Sequence, residues 1–243
     1  MQTLQRTQTE PTDYSSYVAR SDSFSALTSG RMVSDIFQTL VKTTNGHTVN
    51  GSYDPFSDLM LVQDERPLQL NRIDLRTITP YQRALLGIDG TVTKFIEAYM
   101  LEPIEITLLK QETQPLCQDH PWLEAPAETE VVARQVLLRG RYSGTIYAYA
   151  VSLLMPERLP QDILQGLRVE PAGIGRVLLN SQIENRREIL WYGHEVIEDL
   201  PPVVQSCTGH EFISRTYRII ANGKPTMLIN EKFPTHSKGL ETG

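Results

Sequence analysis

The chain has 243 residues, 40% of them hydrophobic and 21% charged, a balance that suits one or two globular domains with a sizeable core. Its net charge of −6 argues against a nucleic-acid binder, which usually carries a basic face. No run of about 18 apolar residues is present to span a membrane.

Residues 1–30 are rich in Ser, Thr and Gln and read as a mobile arm. Residues 31–78 read as an N-terminal extension that is partly helical, with Met32, Ile36, Leu40 and Val41 near one face. Regular structure is expected from Thr79, an N-cap followed by Pro80 in the first turn. That helix ends at Gly87. A second helix starts after Thr91, with Val92, Phe95, Ile96 and Tyr99 at helical spacing, and Pro103 stops it.

Strand patterns follow. Ile104, Ile106 and Leu108 alternate with polar residues, and further strands run from Val131 to Leu138 and from Thr145 to Leu154. On the third, the small residues Ala148 and Ala150 leave room over one face. A helix is expected from Leu159 to Leu167. Gly173-Ile174-Gly175-Arg176 is a turn entering another helix; it lacks the glycine pattern and lysine of a phosphate loop. Three more strands are expected at Asn185–Glu195, Phe212–Ile220 and Pro225–Pro234, the last two joined by the hairpin signal Asn222-Gly223. Residues 236–243 read as a loose tail. Six strands, several joined by hairpins, with helices before and between them, predict an α+β domain over 79–235. Its sheet is six-stranded and largely antiparallel, with helices covering one face.

Two ionisable residues stand in apolar register. Arg134 shares a face with Val132, Val136 and Leu138, and Glu231 shares one with Met227, Ile229 and Phe233. A buried charge needs a partner. Two readings follow: Arg134 and Glu231 pair with each other, or they serve a ligand. In a ligand site, Arg suits a carboxylate and Glu a hydroxyl or a proton. Arg215 and Tyr217 share a strand face with Ile213 and Ile219; Arg215 is a candidate pocket residue, with edge packing the favoured reading. Arg176 and Lys94 read as surface charges, although Arg176 is a candidate for a second carboxylate.

Cys117 and Cys207 have no zinc or redox spacing and read as free thiols of a reduced, cytoplasmic protein. The N-terminus lacks the apolar core of a signal peptide. His47, His120, His194, His210 and His236 are scattered, so no metal site is expected. Ser143 and Ser214 have no nearby His-Asp pattern for nucleophilic catalysis.

Four segments resemble the chorismate pyruvate-lyase family: Gly90-Thr91-Val92-Thr93-Lys94-Phe95, Ala133-Arg134-Gln135-Val136-Leu137-Leu138, Gly173-Ile174-Gly175-Arg176 with Leu178-Leu179, and Asn222-Gly223-Lys224-Pro225 through Leu228 to Pro234. The resemblance covers about residues 80–235. It implies a six-stranded antiparallel sheet, helical flaps over an enclosed pocket, and conversion of chorismate to 4-hydroxybenzoate and pyruvate without a cofactor. It further implies that Arg134 binds a carboxylate, that Glu231 faces the ring hydroxyl, and that Val92 and Ile174 line the pocket. Family members often have Met at the Val92 position. The ligand-binding domains of some bacterial transcription regulators resemble the same fold, so a non-catalytic sensor of aromatic acids is the alternative. Such a regulator is expected to carry a winged helix-turn-helix domain ahead of this one, and residues 1–78 do not look like one.

Overall fold

A computed structural model describes residues 54–169, 173–181 and 183–235. The arm, the first part of the extension and the tail after 235 lie outside these residues.

Six strands, β1 (Ile104–Pro115), β2 (Glu130–Gly140), β3 (Ile146–Leu154), β4 (Asn185–Val196), β5 (Glu211–Ala221) and β6 (Lys224–Pro234), form one sheet in the order β1-β2-β3-β6-β5-β4. Every neighbouring pair is antiparallel. The sheet therefore has the architecture that the alternation and turn signals predict. Asn222 and Gly223 have φ of 52° and 74°, the two positive values that a tight β5–β6 hairpin needs.

Among the described residues, five helices accompany the sheet: α1 (Pro80–Gly87), α2 (Val92–Met100), α3 (Gln161–Val169), α4 (Ile174–Asn180) and α5 (Pro202–Thr208). Helix α1 starts with a full capping box. The Thr79 hydroxyl accepts from Gln82 N at 3.2 Å, and Gln82 Oε1 accepts from Thr79 N at 2.9 Å. Helix α2 buries Val92 and Ile96, whereas Tyr99, expected on the same apolar face, is 56% exposed and packs against Tyr81 with tilted rings, centroids 4.5 Å apart. Among the described residues no helix is long and apolar enough to cross a membrane.

One sheet face is covered from its two ends. Helices α1 and α2 pack on Leu138, Ala148, Phe233 and Ile213 at one end. Helices α3 and α4 pack on Leu154, Met227, Ile219 and Ile189 at the other. Fully burying one such side chain contributes roughly 1.5–3 kcal/mol, so both helical pairs are held firmly to the sheet. The opposite face was less legible. There Leu116, Leu123 and Ala125 of the β1–β2 connection cover Ala133, Leu153 and Leu228. Helix α5, which the sequence pattern did not reveal, brings Val204 onto Leu137, Tyr149 and Phe212. Residues 54–78 run beside edge strand β4. Leu61 N donates to Ile189 O at 2.8 Å, and Phe56 meets the Tyr192 ring edge-on at 5.4 Å.

A candidate ligand site on the central strands

The strand registers define two rows of side chains between the two apolar ends of the helix-covered face. One row is Arg134–Ser152–Ile229–Tyr217, across β2, β3, β6 and β5. The next is Val136–Ala150–Glu231–Arg215. Arg134 and Glu231 therefore share a face with β3 between them and are offset by two residues along it. Strand spacings of about 4.8 Å and a rise of about 3.3 Å per residue put their Cα atoms roughly 12 Å apart. Before Leu154, the β3 side chains on this face, Ala148, Ala150 and Ser152, are small and buried. Long side chains reaching from both sides over a floor of small ones suit a planar ligand one ring wide.

Glu231 makes its ion pair with Arg215, directly opposite on β5, and not with Arg134 across β3. Arg215 Nε donates to Glu231 Oε2 at 2.9 Å, and the Tyr217 hydroxyl donates to Oε1 at 3.1 Å. A carboxylate has about four acceptor positions, so both oxygens can still accept from a ligand. Arg215 is fully buried on an interior strand, which corrects the edge-packing expectation. Its Nη1 also donates to Ile88 O at 2.6 Å, just past the C-terminus of α1, where a cation complements the helix dipole. The Arg215 guanidinium carbon lies 5.1 Å from the Tyr217 ring centroid. Burial, reinforced by the nearby Glu231 charge, pushes the Tyr217 phenol far above its ordinary pKa, so it remains a donor.

Arg134 is 1% exposed, and burial lowers its pKa by penalising the charged form. A guanidinium starts so high that it stays protonated. Arg134 thus brings a guanidinium to the β2 side of the site. Val92 and Ile174, each the first residue of a helix, come from the two helical pairs. Val92 is buried in the α1–α2 cluster, and Ile174 packs against the α3–α4 cluster. The start of α4 lies against the start of α2: a Cβ on Gly175 would meet Thr91 Cγ2 at 2.6 Å, and one on Gly173 would strike Ile106. Glycine permits that close approach, and it closes the roof over the two rows. A shallow cleft lined by Val132, Leu154 and Leu164 opens beside the site, one residue pair beyond Arg134. Arg176 is exposed on α4, and Lys94 is exposed in a surface pair with Glu97. Ser152, opposite Arg134, went unremarked in the sequence, although a hydroxyl in the apolar register of β3 marks it.

A sequence model of the family described as "Chorismate pyruvate-lyase Rv2949c-like" matches residues 85–240. The chain belongs to this family. It is 28% identical over 170 residues to a chorismate pyruvate-lyase of Mycobacterium leprae, covering 68% of this chain and 79% of that protein. A chorismate pyruvate-lyase of Mycobacterium tuberculosis is 26% identical, over 66% of this chain and 82% of that protein. Among solved structures, PhnF from Mycobacterium smegmatis superposes with a TM-score of 0.48 at 12% identity, over 61% of this chain and 65% of that one. The family match spans every strand of the sheet and the four segments on which the resemblance rests.

Proposed function

We propose that this chain is a cytoplasmic chorismate pyruvate-lyase that releases 4-hydroxybenzoate, a ring precursor for quinones such as ubiquinone or plastoquinone. The observation that carries the reading is the pair of buried, oppositely charged groups, Arg134 and Glu231, spaced across one strand of small side chains under a helical roof. Arg134 holds the ring carboxylate of chorismate. Glu231 accepts a hydrogen bond from the hydroxyl at the far end of the ring. Val92 and Ile174 press on the ring from above.

The chemistry asks little of the protein. The ether bond at C3 breaks and its electron pair leaves with enolpyruvate. The hydrogen on C4 leaves as a proton, and the ring becomes aromatic. Enolpyruvate takes up a proton to become pyruvate, so no oxidant or reductant is consumed. Aromatisation supplies the driving force, and orientation supplies much of the rate. Glu231, held by hydrogen bonds from Arg215 and Tyr217, is placed to influence the proton that leaves C4.

Purified protein mixed with chorismate should yield 4-hydroxybenzoate and pyruvate in equal amounts, and Arg134→Ala or Glu231→Gln should abolish both. Tight binding of 4-hydroxybenzoate with chorismate left intact would point instead to a sensor of aromatic acids. Neither turnover nor binding would return the buried charges to a purely structural role.

A further inference from the structure

Arg215 has more donors than its contacts use. Nε serves Glu231 and Nη1 serves the backbone at Ile88 and, at 3.4 Å, Leu86. Nη2 is buried and makes no hydrogen bond among the described residues. Covalent geometry puts Nη2 on the same edge of the planar guanidinium as Nε–H, so it lies beside the Glu231 carboxylate. A fork with one tooth on Glu231 and the other unengaged is well suited to a second carboxylate.

Chorismate has such a group. Its ring carboxylate is at C1, its hydroxyl is at C4, and the enolpyruvyl ether with a second carboxylate is at C3, next to the hydroxyl. With C1 toward Arg134 and C4 toward Glu231, the C3 substituent falls near Glu231 and its neighbours. The surface cations do not serve there: Arg176 and Lys94 are exposed. Arg187, on edge strand β4, is the nearest rival, since its buried Nε also makes no hydrogen bond among the described residues. It pairs with Ile219, however, in the row beyond Tyr217 and away from Glu231.

We propose, resting on the lyase reading above, that Arg215 Nη2 binds the enolpyruvyl carboxylate of chorismate. Arg134 and Arg215 then form a two-ended clamp that distinguishes the dianionic substrate from the monoanionic product. Once the ether breaks, the second anion leaves with pyruvate and Arg215 keeps its pair with Glu231. Substrate is thereby held at both ends and product at one.

The test compares two ligands by calorimetry on the full chain. The first, 3-[(1-carboxyvinyl)oxy]benzoate, keeps both carboxylates and is already aromatic, so it does not turn over. The second is 4-hydroxybenzoate. In Arg215→Lys, which keeps a cation beside Glu231 but removes the fork, the dicarboxylate should bind about 10- to 100-fold more weakly. Its loss should exceed that of 4-hydroxybenzoate at least tenfold. The circular-dichroism spectrum and melting curve of Arg215→Lys report that the variant is folded, independently of either ligand. Parallel loss of both ligands, or a selective loss found in Arg187→Met instead, overturns the assignment. A wild-type chain that binds 4-hydroxybenzoate but not the dicarboxylate overturns it alone. A wild-type chain that binds neither overturns the lyase reading and the clamp together.

Discussion

Removing Glu231 should destabilise the fold far more than removing Glu231 and Arg215 together. Arg215 has 0% side-chain exposure and Glu231 has 11%, and they meet at 2.9 Å on neighbouring strands. Glu231→Leu leaves a fully buried guanidinium without its counter-ion, a change that costs about 3–5 kcal/mol. It also removes the acceptor of the Tyr217 hydroxyl, for about 1 kcal/mol more. For a chain of this size, 1 kcal/mol moves Tm by about 2–4 °C, so a drop of roughly 8–24 °C is expected. The double variant Glu231→Leu/Arg215→Met removes both charges and refills the volume with apolar groups. Such replacements are often neutral or stabilising. Here the lost contact of Arg215 with Ile88 O limits the recovery to within about 1.5 kcal/mol of wild type. Scanning calorimetry at pH 7 on the two single variants and the double variant provides the measurement. The double variant should be stable yet unable to bind 4-hydroxybenzoate. A single-variant Tm within about 3 °C of wild type would refute the reasoning, because the α1 carbonyls alone would then be compensating the buried Arg215 charge.

Arg134→Met should weaken 4-hydroxybenzoate binding by about 2–5 kcal/mol, more than its effect on stability accounts for, since the guanidinium that would hold the carboxylate is replaced by a flexible apolar chain. Calorimetric titration paired with a melting curve checks this, and retained affinity with a large fall in Tm would contradict it. Ala150→Leu fills the floor between Val136 and Glu231. It should cost about 1–3 kcal/mol of stability and at least a factor of roughly 10 in product affinity; unaltered affinity would mean that the ligand lies elsewhere. Glu102 accepts hydrogen bonds from the Tyr147 hydroxyl at 2.5 Å, from Ser143 Oγ and from the backbone of Tyr142 and Ser143. Led by the Tyr147 bond, these hold its carboxyl at about 2, below the usual glutamate value of about 4.3. Its contribution to stability is therefore full above the unfolded value and is lost as pH falls toward about 2. Glu102→Gln should flatten the acid side of the stability curve in that window, and melting curves that fall in parallel with wild type would rule this out.

Side-chain alternation and turn signals were enough to locate the strands, although β3 and β6 are buried on both faces. The same alternation exposed Arg134 and Glu231, since a charge in an apolar register is visible without any partner. What could not be read was who meets whom. Glu231 and Arg215 are 16 residues apart, and Arg215 reaches Ile88 across 127 residues. Those contacts depend on the β5–β6 register and on where α1 ends against the sheet. Arg215 looked like edge packing because sequence order does not reveal that β4 closes the sheet beyond β5. Helix α5 was hidden by Pro201-Pro202, which reads as a break, and by a single seven-residue segment too short to show helical period. Leu116 and Leu123 lie in a connection without periodicity, so only tertiary packing shows that they are core.

The consequence for the site is physical. A carboxylate in an apolar register can be ionised, and therefore useful as an acceptor, only where a cation stands opposite it. Arg215 supplies that cation and binds the end of α1 with the same guanidinium. The counter-ion of Glu231 and the seating of the α1–α2 roof are thus one side chain. Substitutions that remove the charge of Arg215 should disturb both at once, whereas substitutions at Arg134, on the far side of β3, should affect ligand binding without moving that roof.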